Sequence, residues 1–259
     1  MQFAQYERIL IKMSGEVLAG KAGFGIDLET VSILAAEIKD IRSLQFQVKD
    51  ENTGEVVETK SVQIGIVLGG GNLFRGASLS GKKGVTRATA DYMGMLATAI
   101  NGLALRDVLE SHGTPARVMS AIQMRDVAET YIREKALRHM GKNRVVIMVG
   151  GTGSPYFTTD TAAALRAIEL DVKLLLKGTK VDGIYSGDPM VDTDAVFFPR
   201  IAYKQVLKER LKIMDGAAFA LCEENDVVIK IFNIRKRDLM RQAIIGEPVG
   251  TLVTKEEKL

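Results

Sequence analysis

The stretch ILIKMSG, Ile9 to Gly15, decides how this chain is read. Residues 9 to 13 form an apolar strand with Lys12 inside it, and Ser14-Gly15 follow at once as a turn. A lysine inside a buried strand is rare without a partner. A phosphate is the partner most easily supplied at such a strand end, where a glycine turn exposes backbone N–H groups. The competing reading is an edge strand whose ammonium snorkels out to water. This fragment alone leaves both open.

Outward from that strand, short apolar runs alternate with longer helical patterns over all 259 residues. That alternation is the signature of an α/β fold around a largely parallel sheet, and a chain of this length can bury one large core or two fused lobes. Strands are expected at 63–68, 117–119, 144–149, 172–176 and 227–232. Asp27 is placed to cap a helix whose Val31, Leu34, Ile38 and Ile41 share one face. Ala90 to Leu109 follows as a long helix, apolar on nearly every side, which calls for central burial or a second subunit. The segment Phe46 to Ser61 alternates around Asp50-Glu51-Asn52-Thr53-Gly54. It reads as a hairpin projecting from the core, either a surface excursion or an oligomer contact.

Composition removes several chemistries. The net charge is only +3 and the basic residues are dispersed, apart from Arg235-Lys236-Arg237 and the stretch from Lys204 to Lys212. No nucleic-acid stripe stands out. A single cysteine, Cys222, excludes a disulfide framework and a thiolate metal cage, and it reads as a core thiol. His112 and His139, the only histidines, sit near expected helix ends outside any metal-ligand spacing. No metal site is therefore expected among the side chains. Residues Gln5 to Arg8 turn polar and charged, unlike a signal peptide, and no run of eighteen apolar residues occurs. A cytoplasmic protein without a membrane partner is expected.

Three glycine or threonine turns follow expected strands: Ser14-Gly15, Gly69-Gly70-Gly71-Asn72, and Gly150-Gly151-Thr152-Gly153. In a parallel sheet such strand ends share one rim, where ligands bind and where exposed N–H groups can receive phosphate oxygens. Neither GxGxxG nor GxxxxGK[ST] is present, so the dinucleotide and P-loop classes lack their marker. Arg75 lies close enough to Gly71 to close a phosphate cradle with its two-pronged guanidinium. Asp91 opens the apolar helix and suits either a cap or a partner for sugar hydroxyls. Asp160, after Thr158-Thr159, suits a cap as well. Yet Lys12 lies near the end of the first expected strand and Lys177 directly follows another. One carboxylate between two lysines at a common rim would hold both ammoniums against a moving phosphoryl group. The stretch KGTKVDGIYSGDP, from Lys177, is a long shaped loop able to wrap an adenine and ribose.

Six ordered blocks then carry a family resemblance over essentially the full length: KMSGE from Lys12, GGGNLFRG from Gly69, DYMGMLATAINGLALRD from Asp91, GTGSPYFTTDTAA from Gly151, LKGTKVDGIYSGDP from Leu176, and KIMDGAAFA from Lys212. The chain resembles the bacterial-type uridylate kinases of the amino acid kinase superfamily. The resemblance implies a three-layer αβα sandwich in a single domain, with an acceptor lobe over roughly 1–170 and an ATP lobe over roughly 171–259. It implies transfer of the ATP γ-phosphoryl group to UMP, with Mg²⁺ accompanying ATP. Lys12, Met13, Ser14, Gly15, Gly71 and Arg75 would serve the ATP phosphates, and Lys177 would join Lys12 on the transferred group. Asp160 would orient both lysines rather than act as a base. Gly70, Arg75 and Asp91 would hold UMP, wrapped by Thr152, Gly153, Ser154, Pro155, Tyr156, Phe157, Thr158 and Thr159. Thr179, Tyr185 and Asp188 would form the ATP nucleoside site. A homohexamer is implied, activated by GTP through Gly20, Lys21, Ala22, Gly23, Phe24 and Gly25 and inhibited by UTP. The excursion at 46–61 departs from the family pattern. The rival readings are a superfamily kinase with a carboxylate or carbamate acceptor, and a nucleotide-binding regulator without turnover.

Overall fold

Apolar alternation along the first strand sets both faces of the fold. The computed structural model describes residues 2–50, 52–74, 84–211 and 213–256. β1 (Arg8–Met13) leads through Ser14 into one helical turn, α1 (Gly15–Leu18), and then α2 (Leu28–Arg42). A hairpin of β2 (Gln45–Lys49) and β3 (Val56–Ser61) precedes β4 (Gln63–Leu68) and the long α3 (Arg87–Ser111). Next come β5 (Ala116–Ser120), β6 (Glu129–Thr130), α4 (Arg133–Gly141), β7 (Val145–Val149) and α5 (Thr159–Glu169). β8 (Leu174–Thr179) is followed by a short pair, β9 (Ile184–Tyr185) and β10 (Phe197–Phe198), then by β11 (Arg200–Ala202), α6 (Tyr203–Glu209) and α7 (Gly216–Glu224). β12 (Val228–Asn233), α8 (Leu239–Ile245) and β13 (Thr251–Thr254) complete the chain order.

Nine strands form one sheet in the order β11-β13-β12-β8-β1-β4-β7-β5-β6. All neighbours pair in parallel except β12 and β13, so β13 and the β11 beside it run against the other seven. Ile9, Ile11 and Met13 pack into one buried cluster with α1, α2, α3 and α8, while Leu10 packs into the other with α4, α5, α6 and α7. The result is the expected α/β three-layer sandwich. Its consequence for the site follows from the two-residue period of a strand: Lys12 shares its face with Leu10 and meets α5.

Some boundaries differ from those read off the sequence. The strand expected at 172–176 runs from Leu174 to Thr179, because it pairs with β1 and β12 on both sides as far as Gly178. Asp27 stands at the head of α2, but its carboxylate accepts the Thr30 hydroxyl at 2.5 Å instead of a backbone N–H. The long helix begins at Arg87, earlier than Ala90, capped by the Thr86 hydroxyl, which accepts from Thr89 N at 3.2 Å. It buries Met95, Ala97 and Leu105 while Tyr92, Met93, Leu96 and Ile100 remain exposed.

β2 and β3 pair antiparallel with each other and join no strand of the large sheet. Their turn is built on Asp50, whose Oδ1 accepts from Asn52 N at 2.9 Å and Thr53 N at 2.8 Å. Val56 and Val57 are exposed. Replacing residues 47–59 with a short glycine-containing turn should change the free energy of unfolding by no more than about 1 kcal/mol, since closure entropy varies slowly with length. A denaturant curve checks this, and a larger loss would mean that the hairpin props the core.

Candidate active site

Register and alternation together place two lysines side by side. Lys12 of β1 is the direct cross-strand partner of Lys177 of β8, and both project toward α5. Lys12 sits inside β1, as the sequence suggested, and Lys177 also lies inside its strand instead of following it. Between them lies Asp160. Lys12 Nζ is 2.6 Å from its Oδ1, and Lys177 Nζ donates to its Oδ2. All three side chains are at least six-sevenths buried, with relative exposures of 9%, 6% and 14% for Lys12, Lys177 and Asp160. The snorkelling alternative for Lys12 is thereby excluded.

The helix-cap reading of Asp160 is also replaced. Thr158 caps α5, its hydroxyl accepting from the N–H groups of Asp160 at 3.1 Å and Thr161 at 3.3 Å. The carboxylate of Asp160 is left to the lysines. Burial alone would raise its pKa, but Lys12 and Lys177 outweigh burial and hold it below the usual carboxylate value. Burial pushes Lys177 down to about 8, helped by the like charge of Lys12 and opposed by Asp160 and Asp215. Two ammoniums around one carboxylate leave a surplus positive charge in a dry place, suited to an anion in transfer.

The glycine turns surround this cluster, and α3 pins them. Asn101 donates to Gly69 O at 2.8 Å and forms a reciprocal amide pair with Asn72, at 2.7 and 3.0 Å. The Thr98 hydroxyl accepts from Gly150 N at 2.7 Å. Gly70 presses on the same helix: a Cβ there would lie 2.6 Å from Gly94 O, so only glycine fits. Asp91 sits one turn inside α3 and therefore does not cap it. Both of its oxygens accept from Arg87 Nε at 2.9 Å, and Oδ2 also accepts from Tyr156 N at 2.8 Å. Tyr156 has a positive φ of 74°, so this anchor holds a strained backbone. A cavity of about 180 Å³ opens here, lined by Gly70, Arg87, Asp91, Phe157, Thr158 and Thr159. Arg75 lies outside the described residues.

The sequence model of the Amino acid kinase family matches residues 7–233. The chain belongs to the amino acid kinase family. It is 35% identical to the solved UMP kinase from Bacillus anthracis, with a TM-score of 0.86 and coverage of 97% of each chain. It is likewise 35% identical to the UMP kinase from Ureaplasma parvum, with a TM-score of 0.84 over 97% of this chain and 100% of that one. The uridylate kinase from Archaeoglobus fulgidus is 25% identical, with a TM-score of 0.68 over 95% and 99%.

In this amino acid kinase the remaining expected residues fall into three places. Ser14 heads α1, with Gly15 packed against the 69–72 turn; their amides share the rim with Gly71. Thr179 ends β8, its hydroxyl donating to Val181 O at 2.7 Å. Tyr185 and Asp188 lie beyond it, on the β9–β10 hairpin and its loop. The Tyr185 ring stands 5.2 Å from Phe197, and Asp188 Oδ1 accepts from Met190 N at 2.9 Å. Gly25 N donates to Asn72 O at 3.0 Å, and Asn72 donates back to Gly25 O at 2.7 Å, which ties the 20–25 segment to the rim. Gly20, Lys21 and Gly23 line a separate groove of about 1140 Å³ against α2 and the 234–241 segment. Neither that groove nor the cavity at α3 is lined by Lys12, Asp160 or Lys177, but the smaller one reaches Thr158 and Thr159, which adjoin Asp160 at the start of α5.

Sequence reasoning missed Arg87, Thr98, Asn101 and Asp215. The first three had a signal, since Arg87, Asp91, Gly94, Thr98 and Asn101 recur at spacings of three and four and so share one helical face. Among the described residues no group of three His, Cys, Asp or Glu side chains could hold a metal ion.

Two outcomes follow from the lysine cluster. Asp160→Asn should fold with α5 intact, because Thr158 keeps the cap, while phosphoryl transfer falls about a hundredfold. Circular dichroism beside initial rates checks this; unchanged turnover would remove Asp160 from the chemistry. The second outcome concerns pH. The Lys177 ammonium is present below its value of about 8 and is lost above it, so turnover should hold below that value and decline above it, as a kcat–pH profile will read.

Proposed function

We propose that this protein is an ATP-dependent UMP kinase, transferring the γ-phosphoryl group of ATP to UMP to give UDP and ADP in pyrimidine nucleotide biosynthesis. The observation that carries the reading is the buried Lys12–Asp160–Lys177 cluster beside the glycine turns and the Asp91 cavity. The likeness to the Bacillus anthracis and Ureaplasma parvum UMP kinases over nearly the whole chain supports the choice of acceptor.

The acceptor phosphate of UMP is already ionised, so the site needs no general base. It needs positive charge where negative charge moves between ADP and UMP, and the two lysines supply it. Asp160 keeps both ammoniums aimed and favours the charged form of Lys177. Lys12, Met13, Ser14, Gly15, Gly71 and Arg75 serve the ATP phosphates. Thr179, Tyr185 and Asp188 take the ATP nucleoside. Gly70 and Arg75 are assigned to the UMP phosphate, Asp91 to its ribose, and residues 152–159 to wrapping it. The Asp91 anchor at Tyr156 N fixes that loop at the mouth of the cavity. Mg²⁺ bound with ATP adds charge neutralisation on the phosphate oxygens. Among the described residues no cage of three carboxylates is offered to it.

In the same reading, residues up to roughly 170 form the acceptor lobe and those from roughly 171 the ATP lobe. The exposed apolar face of α3, with Tyr92, Met93, Leu96 and Ile100, suits a subunit contact in a homohexamer. GTP activation is assigned to the Gly20–Gly25 segment, by its resemblance to the family's, with UTP as inhibitor. No described helix is long and apolar enough to cross a membrane, which agrees with a cytoplasmic location.

Purified protein should form ADP from ATP with UMP in preference to CMP, dUMP and small carboxylic acids, read by product chromatography. Turnover with a carboxylic acid alone would overturn the acceptor assignment. In Lys12→Ala and Lys177→Ala, kcat should fall about a hundredfold while UMP affinity, from direct binding, changes by less than about threefold.

A further inference from the structure

The start of α5 is fastened from outside its own helix. Asp215 caps α7, accepting from Ala218 N through Oδ1 at 2.8 Å. A cap needs only that one oxygen. The other oxygen, Oδ2, accepts the Thr158 hydroxyl and, at 3.0 Å, the Thr161 hydroxyl. Thr158 is itself the cap of α5, and Asp160 is two residues further on. We propose that Asp215 is a positioning residue for phosphoryl transfer, clamping the start of α5, and with it Asp160 and the 152–159 loop, onto α7. This inference rests on the kinase reading above.

Three features carry it. One carboxylate joins two helix starts that are far apart in sequence, and it does so beside the cluster that performs the chemistry. Thr161 is almost fully buried at 6% exposure, so its hydroxyl has a fixed partner rather than water. Last, Asp215 acts on Lys177 through space. The groups facing the Lys177 ammonium are Lys12 from β1, Asp160 from α5 and Asp215 from α7; its neighbour on β12, Ile231, is apolar. Burial and Lys12 oppose the ammonium, whereas Asp160 and Asp215 favour it. Asp215 thus holds both the place of Asp160 and the charge of Lys177.

Asp215→Asn separates these roles from simple capping, because asparagine caps as well as aspartate but carries no charge. Its kcat–pH profile should have an alkaline limb about half a pH unit lower than the unaltered enzyme. Above the limb that amounts to about a threefold loss. Carbon-13 NMR of labelled lysine side chains should show the Lys177 titration moving down by the same amount, a readout independent of turnover. Asp215→Ser keeps a cap but cannot span to both threonines. It should shift Lys177 equally and raise the KM for UMP, and it carries the test if the asparagine variant does not fold. A Lys177 titration unmoved in the folded variant, with any loss of kcat uniform across pH, would reduce Asp215 to a cap and overturn the proposal. If the unaltered protein does not phosphorylate UMP, the kinase reading fails, while the NMR titration still decides the clamp.

Discussion

Two ammoniums held out of water around one carboxylate constrain everything near them. Removing each ion from water costs several kcal/mol, and a buried pair deprived of one partner is strongly destabilised. Lys12, Lys177 and Asp160 must therefore meet, and the fold is arranged so that they do. β1 and β8 must be neighbours in the register that aligns the lysines, and α5 must cover that face of the sheet. The helix cap has to come from Thr158, because a capping Asp160 would abandon both lysines. Such a cluster is poor at stabilising a fold and good at receiving a further anion, which accords with a site for a transferring phosphoryl group.

The parts of this arrangement that were legible in the sequence are local. β1 and β4 are contiguous apolar runs ended by glycine turns, so their limits could be read within a residue. The hairpin announced itself by alternation about a turn containing Asn52 and Gly54, and the Asp50 carboxylate indeed organises that turn. Lys12, Lys177 and Asp160 could be proposed as a set from charge alone. The pairing of β1 with β8 could not be read, since cross-strand register depends on contacts distant in sequence. The reversal of β11 and β13 at the edge of the sheet was hidden for the same reason.

Capping was the reading for Asp27 and one of two readings for Asp91 and Asp160. Asp27, Asp91 and Asp160 were all plausible helix starts, and none of them places its carboxylate on its own helix's first N–H groups in the manner expected. Threonine caps two of the three helices instead, Thr86 for α3 and Thr158 for α5. The physical distinction is that a hydroxyl is an inexpensive acceptor, whereas a carboxylate near the rim has cations and a strained loop to serve. Asp91, shared by Arg87 and the Tyr156 amide, follows that division of labour, whereas Asp215 does both, capping α7 through Ala218 N and accepting from two hydroxyls.

Helix α3 also works as a ruler. Asp91, Thr98 and Asn101 grip the 152–159 loop, the Gly150 turn and the 69–72 turn from one face of a rigid rod. At a rise of about 1.5 Å per residue, Asp91 and Thr98 are spaced by about 10 Å along it. The length of the cavity at α3 is thus measured in helical turns and not in loop conformations. Inserting a single residue between Asp91 and Thr98 would rotate one grip by about 100° relative to the other, so no gradual change in cavity length is open to this chain. Its length along α3 can alter only in whole turns, and the turns it grips are held to the same spacing.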